Sequence, residues 1–374
     1  MKIVLAPDSF KGSLTAIEAA ETMRRAILDV NGDYTVINKP MADGGEGTLD
    51  AILSSSTNGE KVTVSCTGPL GENIETTYAI LKSKQAVIEL ASIAGLEQVP
   101  INKRNPDNTT TSGLGEVIRD AMDKGCTQII IGLGGSATND GGLGMLIALG
   151  MKAWDERGNQ LDGFGTDLRQ VRKVSFKELD SRLQKVDLKV ASDVDNPLCG
   201  RRGASFVFGP QKGASQTQVS QYDLAMERYG SLIEKQINRE LKNIPGAGAA
   251  GGLGFALLAL NAELVSGAEL LANTLQLERY IQNADLVITG EGKSDEQTLY
   301  GKAPGYVASL AVKHDVPVVL LSGSLDGNLD KLRSEFSGCF SIINKPMALD
   351  KCINQAESLL YEQTKQIIHF AKSF

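Results

Sequence analysis

The chain alternates short apolar runs with longer segments whose apolar positions recur at helical spacing. In the first 58 residues, Lys2–Leu5 and Thr35–Asn38 predict strands, whereas Ala16–Val30 and Thr48–Ser54 predict helices. An acidic, glycine-rich turn separates the second strand from the second helix. A strand followed by a helix, twice over, is typical of a parallel sheet with helical connections.

The same order of elements resumes after residue 283. The predicted elements there are strands at Leu286–Thr289, Val316–Leu321 and Ser341–Asn344, and helices around Pro304–Lys313 and from about Leu349 to Lys372. Together with the first two strands they predict a doubly wound, five-stranded parallel sheet. We expect this α/β domain to be discontinuous, formed by residues 1–58 and 283–374.

Residues 59–282 follow a different pattern. Val62–Cys66 and Thr76–Leu81 flank a turn that contains Gly68, Pro69 and Gly71, and they predict an antiparallel hairpin. The other predicted elements are buried strands at Val87–Leu90, Ile129–Ile131 and Leu188–Ala191, and a long amphipathic helix at Leu224–Leu241. We expect a mixed α/β domain inserted into the first, with a ligand cleft between the two domains.

Glycine, acidic and hydroxyl residues crowd the turns after several predicted strands. The clearest turns are Ala6–Ser13, Gly132–Gly142 and Thr289–Glu296. In parallel sheets, ligands bind at the carboxyl ends of strands, where glycines let backbone N–H groups approach a phosphate. Carboxylates in such turns suit a metal ion carried with the phosphate, or a base that takes a proton. The pattern therefore indicates phosphoryl chemistry.

The stretch Gly132–Gly144 is the strongest of these signals, because a structural turn needs one or two glycines and this one has six. It lies between a very apolar strand and an apolar helix. We predict that it binds the phosphates of a nucleotide, through Gly134, Gly135, Ser136, Thr138, Asn139 and Asp140.

Two further nucleotide motifs are incomplete. Gly292-Lys293-Ser294 lacks the earlier glycine of a P-loop, because that position is Val287. Gly246–Gly251 has the spacing of a dinucleotide-binding motif but follows Pro245 instead of a strand. It is either a close-packed turn or a phosphate cradle, in which Gly248 and Gly251 would contact the ligand.

Charged residues in the other turns are candidates for catalysis. Asp43 lies in the acidic glycine turn after the second strand. Asp193 and Asp195 follow a predicted strand, and one of them is a candidate base or metal ligand. Lys11 lies beside Asp8 in the first turn, which favours an anion-binding role for the lysine.

Composition excludes several classes of function. A net charge of −7 without a basic block argues against a nucleic-acid partner. Only two histidines are present, which argues against a histidine-ligated metal site or a Ser-His-Asp triad. The five cysteines form no CxxC pair, so reduced thiols and a cytoplasmic location are expected. Neither a signal peptide nor a membrane span is predicted.

Taken together, the motifs resemble one known family nearly end to end. They are Ala6–Ser13, Pro40–Gly47, Gly134–Gly142, Asp193–Leu198, Pro245–Gly252 and Thr289–Asp295. The chain resembles the type-1 bacterial glycerate kinases. That resemblance implies ATP-dependent phosphorylation of D-glycerate, at the 2-hydroxyl, to give 2-phosphoglycerate. It also implies a flavodoxin-like domain that carries a second, inserted α/β domain.

Roles for individual residues follow from what phosphoryl transfer requires, which is positioning and charge stabilisation. We expect Asp193 to accept the hydroxyl proton, and Glu291 and Asp43 to contact Mg²⁺. Lys11 and Lys302 are expected to neutralise phosphate or substrate, with Asp8 beside Lys11 in the catalytic set (Asp8, Lys11, Asp193 and Lys302).

Alternative functions remain open on the sequence. One is a kinase of another small hydroxy acid or sugar acid. A second is an NAD-dependent oxidoreductase that uses Gly246–Gly251, although the missing strand and the scarcity of histidine weigh against it. A third is a non-catalytic protein that binds phosphorylated metabolites, which would need no cluster of carboxylates.

Overall fold

A computed structural model of the chain describes residues 1–42, 44–45, 47–55 and 59–373. Its strands are β1 (Lys2–Leu5), β2 (Thr35–Asn38), β3 (Gly59–Thr67), β4 (Asn73–Leu81), β5 (Gln85–Glu89), β6 (Gln128–Gly132), β7 (Lys152–Trp154), β8 (Lys173–Ser175), β9 (Asp187–Ala191), β10 (Glu263–Val265), β11 (Leu286–Ser294), β12 (Val318–Leu325) and β13 (Gly338–Ser341).

Its helices are α1 (Ala16–Val30), α2 (Thr48–Ser55), α3 (Ala91–Ala94), α4 (Ser112–Asp123), α5 (Leu143–Ala148), α6 (Gly165–Leu168), α7 (Ala204–Phe208), α8 (Gln216–Ile237), α9 (Ala249–Ala259), α10 (Gly267–Thr274), α11 (Leu277–Ile281), α12 (Ala303–Lys313), α13 (Leu329–Glu335), α14 (Leu349–Asn354) and α15 (Ala356–Ala371). Within the described residues, none of these helices combines the length and apolar character that crossing a membrane requires.

Two compact units make up the chain. The first comprises Met1–Asp43, Asp50–Thr57 and Ser266–Phe374, and the second comprises Gly44–Leu49 and Asn58–Val265. Each unit has its own sheet and its own apolar core.

The first unit contains a five-stranded sheet in the order β13-β12-β11-β1-β2, and every neighbouring pair is parallel. Buried side chains of β1 and β11 pack with those of α1 and α15 in one core that includes Ile3, Met23, Ile288 and Leu360. The predicted α/β domain with a parallel sheet is therefore confirmed.

Three strand predictions in the first unit were wrong in their bounds. The last strand is Gly338–Ser341 instead of Ser341–Asn344, because its pairing with β12 ends where Ser322 meets Ser341. The apolar pair Ile342-Ile343 lies just beyond the strand, although Ile342 still packs into the core.

A second difference is β12, which spans Val318–Leu325 instead of Val316–Leu321. The third is β11, which continues to Ser294 instead of ending at Thr289. The parallel partner β12 runs to Leu325 and supplies the matching hydrogen-bonding groups. Gly290 has no room for a side chain there, since a Cβ would lie 1.9 Å from the carbonyl oxygen of Leu321.

The second unit contains a six-stranded mixed sheet in the order β10-β9-β6-β5-β4-β3. The β3-β4 and β4-β5 pairs are antiparallel, whereas β5, β6, β9 and β10 pair in parallel. The predicted hairpin and mixed α/β character are thus confirmed. Glu89, Gly132 and Ala191 are neighbours in register, so the turns after β5, β6 and β9 leave one edge of the sheet together.

The predicted bounds of the long helix in the second unit, Leu224–Leu241, were wrong. It spans Gln216–Ile237, because Ser215 forms a capping box with Gln218 at its start. It ends at Asn238, which adopts the left-handed conformation with φ of 55°.

Candidate functional site

Two backbone hydrogen bonds hold the glycine-rich turn after β6 against the chain around Ala94 and Leu96. The Leu96 N–H donates to the carbonyl of Gly135 at 2.7 Å, and the Ala137 N–H donates to that of Ala94 at 2.8 Å. In the part of the chain that the structure describes, the N–H groups of Gly134, Gly135 and Ser136 have no hydrogen-bond acceptor. Gly135 is exposed and has φ of +71°, a backbone conformation that favours glycine. Three successive donors of this kind suit an anion.

The next residues of the turn are fully buried and shape it from within. Asp140 accepts hydrogen bonds from the N–H and hydroxyl of Thr111, at 2.9 and 2.7 Å, and from the N–H of Gly142 at 3.1 Å. Burial raises the pKa of Asp140, and these hydrogen bonds oppose the rise. Thr138 and Asn139 are equally buried, so the structure gives all three residues supporting positions beneath the turn.

Lys212 supports the same turn and was missed by the sequence analysis. Its ammonium group donates to Ser136 Oγ at 2.8 Å and to the carbonyl of Thr138 at 2.6 Å. The side chain is buried, which lowers the pKa of Lys212 to about 7, and the charge of Asp140 partly opposes this. No local pattern marks this residue, because its partners lie more than 70 positions earlier in the chain.

The loop Gly246–Gly252 packs against the same turn through its backbone. The Gly141 N–H donates to the carbonyl of Gly251 at 3.0 Å, and the Gly248 N–H donates to that of Asn196 at 2.8 Å. A Cβ at Gly251 would lie 2.1 Å from the Thr138 carbonyl oxygen. Gly248 and Gly251 are buried, and no strand directly precedes them. This geometry favours the close-packed turn over a dinucleotide site.

The two aspartates after β9 differ in their surroundings. Asp193 is exposed, on the stretch that leaves the sheet edge after Ala191. Asp195 forms an ion pair with Arg202, with 3.0 Å between the carboxylate and guanidinium atoms. Both side chains are exposed, and the role of Asp193 as the base stays a prediction.

Backbone atoms of the acidic glycine turn lie against the turn after β6. A Cβ at Gly132 would meet the Gly44 carbonyl oxygen at 2.3 Å, and one at Gly134 would meet Gly45 Cα at 2.6 Å. Asp43, a predicted magnesium contact, lies outside the described residues.

Glu89 is a buried carboxylate that the sequence analysis did not single out. It ends β5, and its Oε1 accepts a hydrogen bond from the Leu49 N–H at 2.6 Å, in the first turn of α2. The signal that could have found it is the carboxylate that interrupts the apolar run Val87–Leu90. Glu89 thus links the acidic glycine turn to the sheet edge.

In the first unit, the turn after β1 lies beside β11. The Asp8 N–H donates to the carbonyl of Gly290 at 2.8 Å, and a Cβ at Gly292 would lie 3.2 Å from the Lys11 nitrogen. Lys11 is exposed and Asp8 is half-buried. The structure therefore brings Asp8 and Lys11 next to the segment that carries Glu291.

Glu291 is the centre of a buried polar network, within β11 and not beyond its end. Its Oε1 accepts hydrogen bonds from Ser294 Oγ at 3.0 Å and Thr298 Oγ1 at 2.7 Å. Its Oε2 lies 3.5 Å from Lys302 Nζ, and the Ser294 hydroxyl also contacts that of Ser322 at 2.7 Å. The network holds Glu291 in a defined orientation next to Lys302.

The described residues contain no group of three or more His, Cys, Asp or Glu side chains that could hold a metal ion. Magnesium carried by a nucleotide usually needs one or two carboxylates, with phosphate oxygens and waters as its other ligands. Glu291 fits that requirement, since Oε1 is occupied by two hydroxyl groups and Oε2 contacts Lys302 alone among the described residues.

Comparisons with known proteins agree on one family. The family model described as "Glycerate kinase family" matches residues 3–372. The chain is 43% identical over 370 residues to "Glycerate kinase" of Halalkalibacterium halodurans, covering 98% of this chain and 97% of that one. It is 42% identical over 370 residues to "Glycerate 2-kinase" of Escherichia coli K12, again covering 98% of this chain and 97% of that one. A crystal structure of a candidate glycerate kinase 2 from Salmonella typhimurium LT2 matches with a TM-score of 0.89 and 41% identity, over 100% of this chain and 98% of that one.

Proposed function

Because the chain belongs to the glycerate kinase family, we propose that it transfers the terminal phosphoryl group of ATP to the 2-hydroxyl of D-glycerate. Membership makes it an enzyme, a phosphotransferase with an alcohol as acceptor. The choice of the 2-position draws on the name of the E. coli relative. The observation that carries the proposal is the row of N–H groups at Gly134, Gly135 and Ser136, for which the described residues provide no acceptor.

We assign the phosphates of ATP to that row of donors. Each N–H would donate to a phosphate oxygen, and a rigid turn does this without reorganising as charge develops during transfer. Rigidity comes from the hydrogen bonds of Lys212 and Asp140 beneath the turn. The buried residues Thr138, Asn139 and Asp140 contribute to phosphate binding by supporting this turn.

We assign the remaining steps to charged side chains of both units. Asp193 accepts the proton of the attacking hydroxyl, since it is an exposed carboxylate at the sheet edge of the second unit. Lys11 and Lys302 of the first unit neutralise phosphate or the glycerate carboxylate, with Lys302 oriented by Glu291.

Magnesium is the expected companion of ATP in this reaction. Glu291 would hold the ion directly or through water, and Asp43 is the second proposed contact. The bound ion would neutralise the phosphate charge that builds up during transfer. Hydrogen bonds from Ser294 and Thr298 orient the Glu291 carboxylate for this role.

The proposal also includes the winding of the first unit and the cellular location of the protein. The strand order β2-β1-β11-β12-β13 supports a flavodoxin-like winding of the first unit. All five cysteines are free thiols in the described residues, which supports a cytoplasmic location.

The proposed reaction is tested by an assay that couples ADP release to the oxidation of NADH. We expect ADP formation that needs MgATP and D-glycerate together, and a much lower rate with L-glycerate or with larger sugar acids. A panel in which a sugar acid outperforms D-glycerate would overturn the substrate assignment. Absence of ADP with every acid would overturn the kinase assignment for this chain.

A further inference from the structure

A cavity in the second unit has no role in the function proposed above. It is open to solvent, has a volume of about 560 Å³ and is lined by Leu70, Asn102, Lys103, Arg104, Asn105 and Asn108. Most of these residues belong to the stretch between α3 and α4. We propose that this cavity binds the adenosine part of ATP, with the phosphates extending to Gly134–Ser136. The inference rests on the proposed function and names its nucleotide subsite.

The first argument is the connection between the cavity and the phosphate turn. The Arg104 guanidinium donates to the carbonyl of Leu96 at 3.2 Å and to that of Val99 at 3.3 Å. Leu96 in turn donates its N–H to the carbonyl of Gly135 at 2.7 Å. Leu96 thus connects the cavity wall to the turn whose N–H groups lack an acceptor in the described residues, and the proposal places one elongated ligand along this connection.

A second contact joins the cavity wall to the support of the turn. Gly213 follows Lys212 and packs on Arg104, where a Cβ would lie 2.1 Å from the Arg104 carbonyl oxygen. Gly213 has φ of +88°, a conformation that favours glycine. The backbone at Arg104 is therefore packed against the residue that directly follows the buried Lys212.

The second argument is charge. Neither Lys103 nor Arg104 forms an ion pair within the described residues. The nearby carboxylate of Asp107 is occupied by Arg169 at 3.0 Å and by the Tyr222 hydroxyl at 2.7 Å. The cavity therefore offers the exposed ammonium of Lys103, and the Arg104 guanidinium, held by the carbonyls of Leu96 and Val99, adds positive charge to its wall. Both charges suit the phosphates next to a nucleoside.

The third argument is size and hydrogen-bonding chemistry. The cavity is open to solvent, and its volume of about 560 Å³ leaves room for a ligand larger than a three-carbon acid. Carboxamides of Asn102 and Asn108 can donate and accept, as the edge of an adenine ring requires, and Leu70 provides an apolar surface. The combination favours adenosine over glycerate as the occupant.

The test is a fluorescence titration with N-methylanthraniloyl-ADP in the absence of glycerate, on the full chain. Lys103→Glu reverses an exposed charge that makes no ion pair in the described residues, and Asn108→Leu removes a carboxamide. We expect each to weaken binding by at least about tenfold, through lost charge-assisted or directional contacts. Lys177→Glu, an exposed lysine of the same unit outside the cavity lining, is the matched control and should bind as the wild type does.

Steady-state kinetics then separate the possible occupants. The proposal expects a raised KM for ATP with an unchanged KM for D-glycerate in both cavity variants. A raised KM for D-glycerate alone, or unchanged ADP binding in both variants, would overturn it. Because the titration needs no glycerate, a protein that binds ADP in this cavity but makes no phosphoglycerate would refute the proposed function and leave the subsite standing.

Discussion

Replacement of Gly251 by alanine tests whether the loops of the second unit are packed as tightly as their backbone contacts indicate. Gly251 has φ of +70°, and an added Cβ would lie 2.1 Å from the Thr138 carbonyl oxygen. That oxygen has little freedom to move, because it accepts a hydrogen bond from Lys212 at 2.6 Å. Gly251 itself is held by the Gly141 N–H at 3.0 Å.

The expected loss in the free energy of unfolding of Gly251→Ala is the sum of two costs. A side chain in the left-handed conformation costs roughly 1–2 kcal/mol, and forcing a methyl group into a packed region costs roughly 1–3 kcal/mol more. Gly158→Ala isolates the first cost, since Gly158 has φ of +84° and nothing within 4 Å of an added Cβ. We therefore expect Gly251→Ala to be less stable than Gly158→Ala by roughly 1–3 kcal/mol.

Urea unfolding followed by both circular dichroism and intrinsic fluorescence measures this difference. Two probes are needed because a chain of two compact units can unfold in more than one step. We also expect Gly251→Ala to weaken nucleotide binding, because the displaced Thr138 carbonyl belongs to the support of the phosphate turn. Equal unfolding midpoints for the two variants would refute the tight packing of these loops.

Three further variants address individual side chains. Burial lowers the pKa of Lys212 from 10.5 to about 7, so between these pH values the unfolded chain binds more protons than the folded chain. In urea unfolding, the stability of the wild type relative to Lys212→Met should therefore rise between pH 7 and pH 10.5. A stability difference that does not change with pH would contradict the lowered pKa of Lys212. Asp193→Asn should lower kcat by roughly 100-fold in the coupled assay, because it removes the proposed base. An unchanged kcat in a folded variant would show that another residue is the base. Glu291→Gln keeps an oxygen that accepts hydrogen bonds from Ser294 and Thr298, but it should raise the Mg²⁺ concentration needed for half-maximal activity. An unaltered Mg²⁺ requirement would mean that Glu291 only orients Lys302.

Local signals in the sequence predict the first elements of the chain well. β1, α1 and β2 have the predicted bounds. The apolar alternation is strong there, and Thr15 with Glu18 forms a capping box at the start of α1. The glycine turn after β6 was also identified from its composition, and the structure places it at a sheet edge beside Glu89 and Ala191.

The features that were missed depend on contacts between distant parts of the chain. β11 runs past its predicted end because β12 provides a partner over the same length. Lys212 supports the phosphate turn from a position that carries no local motif. The cavity beside Arg104 likewise follows from the path of the backbone around Leu96, which apolar periodicity does not encode.

The central claim is the chemistry of the product, and phosphorus NMR without proton decoupling tests it most directly. Phosphate on the 2-oxygen of glycerate couples to one carbon-bound proton, so the account predicts a doublet that grows as ATP is consumed. Phosphate on the 3-oxygen couples to the two protons of a methylene group and would give a triplet, which would contradict the proposed position. Loss of ATP without any new phosphate ester would contradict phosphoryl transfer to glycerate altogether.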